Sequence, residues 1–95
     1  MKNKVLGIIG GGQLGRMTAL AAAKLGIECH VYDPDPNAPA FQVSSKSYIN
    51  DYEDLDAIKQ FAKKIDVALY EFENIPLQSA QIIEELCLLR PSSFV

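Results

Sequence analysis

Ninety-five residues make one small domain, which can hold a core with little to spare, since a chain of this size buries roughly 60–65% of its unfolded surface. Apolar residues at 48% and charged residues at 22% are ordinary for a water-soluble globular chain, and the net charge of −3 speaks against a nucleic-acid partner. No apolar run approaches the ~20 residues of a membrane span, and Met1-Lys2-Asn3-Lys4 leads into a strand and a glycine turn rather than a signal-peptide core, so a cytoplasmic protein is expected.

Val5-Leu6-Gly7-Ile8-Ile9 reads as a buried parallel strand, apolar on both faces. It runs into Gly10-Gly11-Gly12, a turn that needs glycine for φ > 0 and close backbone approach. A helix over 13–25 follows, with Leu14, Met17, Ala21 and Leu25 as its expected inward stripe. The small residues Ala19, Ala21, Ala22 and Ala23 let that helix sit close to the sheet, and Gly26 suits a C-terminal cap. Glu28-Cys29-His30-Val31-Tyr32 is the second strand, ending at Asp33. Three prolines within six residues, Pro34, Pro36 and Pro39, then predict a rigid loop in place of a helix.

Ser47-Tyr48-Ile49-Asn50 suits a brief third strand near an edge. Asp51 is the expected cap of the next helix, whose stripe is Leu55, Ile58, Ala62 and Ile65 and whose last turn carries Lys63 and Lys64. Asp66-Val67-Ala68-Leu69-Tyr70 is the fourth strand, and it delivers Glu71-Phe72-Glu73-Asn74 to the sheet edge that carries the glycine turn. Pro76 opens a third helix with Ile82, Ile83 and Leu86 inward, and Cys87-Leu88-Leu89-Arg90 is the last strand. Cys29 and Cys87 lack metal-type spacing and read as reduced core thiols. This alternation predicts an α/β fold: a Rossmann-like open parallel sheet of about five strands with flanking helices, one domain over residues 1–95.

Gly10, Gly12 and Gly15, with Asp33 at the end of the second strand, fit the dinucleotide fingerprint. The proline-rich loop after Asp33 and the carboxylates Glu71 and Glu73 point away from it, because two acids beside a pyrophosphate would repel it. Glu71 and Glu73 share one side of the chain at strand spacing and suit an amine, a hydroxyl or a cation; a solvated acidic loop is the plain alternative. Gln13 can orient a polar ligand through its amide, or simply face water. Arg16 and Asp35 read as solvated, and His30 as a packed or hydrogen-bonded core histidine. An NAD(P)-dependent oxidoreductase domain and a nucleotide-sensing module both remain open at this point.

Four stretches carry a resemblance. They are Gly10-Gly11-Gly12-Gln13-Leu14-Gly15-Arg16-Met17, Asp33-Pro34-Asp35-Pro36-Asn37-Ala38-Pro39-Ala40, Tyr70-Glu71-Phe72-Glu73-Asn74-Ile75-Pro76 and Arg90-Pro91-Ser92. In order and spacing the chain resembles the start of the N5-carboxyaminoimidazole ribonucleotide synthases, also described as the ATPase subunit of phosphoribosylaminoimidazole carboxylase. The resemblance implies a pre-ATP-grasp domain of a ligase of purine biosynthesis that carboxylates 5-aminoimidazole ribonucleotide with bicarbonate. It implies ATP and Mg²⁺ bound in central and C-terminal domains outside these residues, a homodimeric full enzyme, and no catalysis by this stretch alone. By analogy with related glycinamide ribonucleotide enzymes it places substrate binding on Gln13, Leu14 and Glu71, with Gly12 and Glu73 beside them, and assigns no catalytic, cofactor or metal ligand here.

Overall fold

The computed structural model describes residues 4–70, 76–86 and 88–90. Its elements run β1 (Val5–Ile9), α1 (Gln13–Lys24), β2 (Glu28–Tyr32), a 3₁₀ helix (Pro39–Val43), β3 (Lys46–Tyr48), α2 (Leu55–Lys63), β4 (Val67–Tyr70), α3 (Leu77–Leu86) and β5 (Leu88–Arg90). The five strands form one sheet in the order β3-β2-β1-β4-β5, and every adjacent pair is parallel. The chain winds outward from β1 to β3, crosses back to β4 and continues to β5, so the winding direction reverses between β1 and β4. In open α/β sheets that reversal leaves a crevice at the carboxyl ends of the strands.

Strand alternation divides the core into two layers. Ile8, Cys29 and Val31 pack with Ala19 and Ala22 of α1 and Ala40 of the 3₁₀ helix. Ile9, Tyr32 and Ala68 pack on the other face with Ile58, Phe61, Ala62 and Ile65, and with Ala80 and Ile83 of α3. Gly7 lies beneath that second layer, and a Cβ there would collide with Ile65 and Phe61.

The inward face of α1 is not the expected one. Its buried residues are Gly15, Ala19 and Ala22. Leu14, Met17 and Leu25 are 61%, 62% and 76% exposed, and Ala21 and Ala23 are exposed as well. The cause is distance: a Cβ at Gly15 would stand 2.5 Å from the Gly10 carbonyl oxygen and 3.3 Å from Ile8 Cγ2. The helix rides so low on β1 that only small residues fit beneath it, and the bulky apolar ones are turned outward. Its end follows expectation: Gly26, at φ +75°, donates to the Ala23 carbonyl and Ile27 N–H to the Ala22 carbonyl, which closes a Schellman cap.

α2 starts three residues later than expected. Asp54, not Asp51, is the cap, its carboxylate accepting from Ala57 N–H at 3.1 Å. The Asp51 carbonyl instead accepts from Asp54 N–H (3.2 Å) and from the Tyr32 hydroxyl (2.6 Å), so 51–54 forms a turn ahead of the helix. Ile58, Ala62 and Ile65 face inward as expected, whereas Leu55 is exposed. Phe61, absent from the expected stripe, is fully buried and meets Tyr32 and Tyr48 edge-on at centroid distances of 5.3 and 5.2 Å.

In α3, Ile83 is buried and Ile82 partly so, but Leu86 is exposed; Ser79 and Ala80 fill the inner face instead. His30 is packed as expected, its Nε2 lying 2.7 Å from Glu28 and its ring 6.0 Å from Tyr48. Cys29 is a buried free thiol, pushed up in pKa by burial and then by the Glu28 charge. Cys87 lies outside the described residues. Among the described residues no helix is long and apolar enough to cross a membrane.

Replacing Phe61 with alanine is expected to cost about 3–5 kcal/mol, the range for deleting a buried aromatic ring. Leu25→Ala, on the outward face of α1, is expected to change stability by less than about 0.5 kcal/mol. Urea unfolding of the two variants measures both.

Candidate functional site at the carboxyl edge of the sheet

The turn after β1 places four glycines for different physical reasons. Gly10 has φ +101°, and its N–H donates to the Tyr32 carbonyl at 2.9 Å. Gly11 is held tightly: its N–H donates to Asp33 Oδ2 at 2.7 Å and its carbonyl accepts from Ala40 N–H at 2.8 Å. A Cβ on Gly11 would lie 2.9 Å from Ala38 Cβ and 3.3 Å from Val31 Cγ1. Gly15 is required by the close approach of α1. Gly12 differs from these three, since a Cβ there meets nothing within 4 Å, its backbone is extended at φ −71° and ψ −164°, and it caps α1 without any side-chain hydrogen bond.

Gly12, Gln13 and Leu14 are all exposed. They present the first N–H groups of α1, which have no partner within their own helix and favour acceptors. Arg16, one turn in, is half-buried. Glu71 and Glu73, the acidic half of the expected site, lie outside the described residues.

Asp33, the acid that a dinucleotide site would set against the ribose, accepts hydrogen bonds within the protein on both oxygens. Its Oδ2 takes the Gly11 N–H, its Oδ1 takes the Asp35 N–H at 2.8 Å, and the Tyr52 hydroxyl stands 3.4 Å from Oδ2. Asp35 repeats the device one step on, its Oδ1 accepting from Asn37 N–H at 2.9 Å. The proline-rich loop is therefore rigid through two successive side-chain-to-backbone turns as well as through its prolines.

A cleft of about 320 Å³ is lined by Pro34, Asp51, Tyr52, Glu53 and Pro76. Its wall is fixed from behind: Tyr32 donates to the Asp51 carbonyl, and the Ser79 hydroxyl donates to the Tyr52 carbonyl. Tyr32 and Tyr52 stack at 5.9 Å between centroids. Burial pushes both phenols up in pKa, reinforced for Tyr52 by the Asp33 carboxylate and for Tyr32 by Asp54 and Asp51. Among the described lining residues the charges are acidic, which suits an amine or a hydroxyl donor. Among the described residues no group of three His, Cys, Asp or Glu is placed to hold a metal. Neither Tyr52 nor the inward turn of Asp33 was anticipated; the Asp-Pro-Asp-Pro run signals a rigid loop but not the partner it grips.

Titration with NADH to millimolar concentration is expected to leave its fluorescence unchanged, since the acid that would hold the ribose is engaged by the protein. The raised tyrosines have a stability consequence. Their contribution is fully present below the unfolded tyrosine value near 10 and is lost as pH climbs above it, because unfolding releases phenols that then ionise. Phenolate absorption followed alongside circular dichroism is expected to show Tyr32 and Tyr52 ionising late, together with alkaline loss of structure.

Residues 1–94 match the family described as the ribonucleotide synthetase preATP-grasp domain. An N5-carboxyaminoimidazole ribonucleotide synthase of Brucella melitensis is 44% identical over 86 residues, which are 90% of this chain and 24% of that protein. The structure of N5-carboxyaminoimidazole synthetase from Staphylococcus aureus complexed with ADP superposes with a TM-score of 0.88 at 38% identity, over 97% of this chain and 25% of that one. The N5-carboxyaminoimidazole synthase of Aspergillus clavatus, in complex with ADP and 5-aminoimidazole ribonucleotide, superposes with a TM-score of 0.77 at 30% identity, over 95% of this chain and 24% of that one. The chain thus spans about a quarter of the length of these proteins. On sheet order, glycine turn and sequence match together, it belongs to the ribonucleotide synthetase preATP-grasp domain family.

Proposed function

We propose that this chain is the substrate-side domain of an ATP-dependent ligase that carboxylates 5-aminoimidazole ribonucleotide with bicarbonate in purine biosynthesis. The observation that carries the reading is Gly12, a glycine with open space where a Cβ would stand, at the head of an uncapped helix on the ligand-binding edge of the sheet. A backbone left bare on the solvent side suits close approach by a ligand. Relatives named for this reaction, and a structural neighbour that holds 5-aminoimidazole ribonucleotide, support the substrate.

In this reading the N–H groups at Gly12, Gln13 and Leu14 meet polar edges of the base or ribose, and the Gln13 amide orients them. Glu71, with Glu73 as the second candidate, accepts from the exocyclic amine and holds it for carboxylation. The acidic lining at Asp51 and Glu53 disfavours phosphate nearby, so the substrate phosphate is held by basic residues outside this chain. ATP with Mg²⁺, in ATP-grasp domains outside residues 1–95, supplies the activation of bicarbonate. The full enzyme is a cytoplasmic homodimer, and these 95 residues alone are inactive.

The test is a chimera in which this chain replaces the matching segment of the Brucella melitensis enzyme. The chimera is expected to turn over 5-aminoimidazole ribonucleotide. Glu71→Gln within it is expected to lower kcat/KM for that substrate by roughly tenfold to a hundredfold, the worth of a hydrogen bond to a charged group, with a smaller effect on bicarbonate-dependent ATP hydrolysis. Substrate kinetics unchanged in Glu71→Gln would remove Glu71 from the site.

A further inference from the structure

We propose that Asp33 is the positioning residue of this site, a clasp that sets where the backbone donors of Gly12, Gln13 and Leu14 point. The inference rests on the function proposed above and extends it to a residue that does not touch the substrate. Three segments leave the carboxyl edge of the sheet here, after β1, β2 and β3, and the Asp33 carboxylate contacts all three. Oδ2 holds the Gly11 N–H at 2.7 Å, Oδ1 holds the Asp35 N–H at 2.8 Å, and the Tyr52 hydroxyl lies 3.4 Å from Oδ2. The backbone of Asp33 is itself fixed, its N–H donating to the Tyr48 carbonyl at 3.0 Å.

The Gly11 tether acts directly on the helix start. Gly11 precedes Gly12, and Gly12 is the cap from which the exposed N–H groups of α1 begin. A Cβ on Gly12 would meet nothing within 4 Å, and its carbonyl accepts from Arg16 N–H of its own helix at 2.9 Å. What ties this helix start to the neighbouring loops is the hold on Gly11: the Asp33 carboxylate on the N–H side and Ala40 N–H on the carbonyl side. Donors aimed at a ligand act well only when held in place by neighbouring interactions. Asp33 uses its charge for this, because a carboxylate accepts from two backbone donors at once.

An amide cannot do the same. Asp33→Asn keeps one acceptor oxygen and presents an NH₂ to the other donor, so either Gly11 or Asp35 loses its partner. The variant is nearly isosteric, and Asp35→Asn is the control, since the Asp35 side chain holds Asn37 N–H and does not touch the turn.

Two measurements test this. In the 95-residue chain, amide hydrogen exchange and NMR shifts are read at Gly11, Gly12, Gln13 and Leu14. Asp33→Asn is expected to speed exchange at Gly11 and shift the signals of the next three residues, while Asp35→Asn leaves them in place. In the chimera with the Brucella melitensis enzyme, Asp33→Asn is expected to raise KM for 5-aminoimidazole ribonucleotide about tenfold, the loss of one charge-assisted hydrogen bond's positioning. A kcat changed less than about twofold completes the split that general destabilisation would not give. Unmoved signals at Gly12–Leu14 in the variant overturn the clasp, whatever the chimera does. A chimera that uses the substrate normally and ignores Asp33→Asn overturns the positioning role alone. An unmutated chimera that binds ATP but ignores 5-aminoimidazole ribonucleotide overturns the function itself, and the positioning role falls with it.

Discussion

The hydrogen bond from Gly11 N–H to the Asp33 carboxylate, at 2.7 Å and across 22 residues of sequence, governs the carboxyl edge of this sheet. It joins the loop after β1 to the loop after β2. The glycines around it serve unlike ends. Gly10 permits a backbone angle, Gly11 permits a contact, and Gly15 permits a helix to lie against a strand. Once those three are explained mechanically, Gly12 stands apart as the glycine that the protein's own packing does not require. The glycine-rich run here is thus a mixture of steric solutions and one bare surface.

At the same edge the acid that fits a dinucleotide fingerprint is put to a structural use. Asp33 stands at the end of β2, and each of its oxygens accepts a main-chain N–H, from Gly11 and from Asp35. A short proline-bearing loop and a 3₁₀ helix stand between β2 and β3, and Ala38 fills the space next to Gly11. Behind the cleft, Tyr32, Tyr52, Tyr48 and Phe61 form one aromatic cluster, tied by the Tyr32 hydroxyl to Asp51 and backed by Ser79 of α3. Rigidity in this region comes from side chains of β2 and α3 gripping two main-chain carbonyls of the turn at 51–54.

Much of the fold was legible in the sequence, because strands here are short apolar runs set off by glycine, proline and acidic residues. Helix faces were less so. Leu14, Met17, Ala21 and Leu25 and the set Gly15, Ala19 and Ala22 both run along α1 at helical spacing. The first is larger and more hydrophobic, yet the second is inside, because helix height over the strand is set by Gly15 and cannot be inferred from side-chain size. Asp51 and Asp54 are equally good caps by type, and only the tertiary contact from Tyr32 assigns the turn to the first and the cap to the second. Phe61 fell outside a stripe drawn through aliphatic residues alone. For the site, Gly12, Gln13 and Leu14 could be located because they follow directly from the turn, whereas the grip of Asp33 on Gly11 is a long-range contact without a local signature. The positions of Glu71 and Glu73 fall outside the described residues.

The outermost strands, β3 and β5, pair over only three residues each. A sheet border that brief offers another molecule few open amide and carbonyl groups to zip onto. On the β3 side Lys46 and Ser47 are exposed, and the Lys46 ammonium lies 5.1 Å from the centre of the Tyr48 ring, so a strand approaching that border would have to strip water from a cation. At that border an all-parallel sheet of this size thus carries its own guard against fibrous self-association.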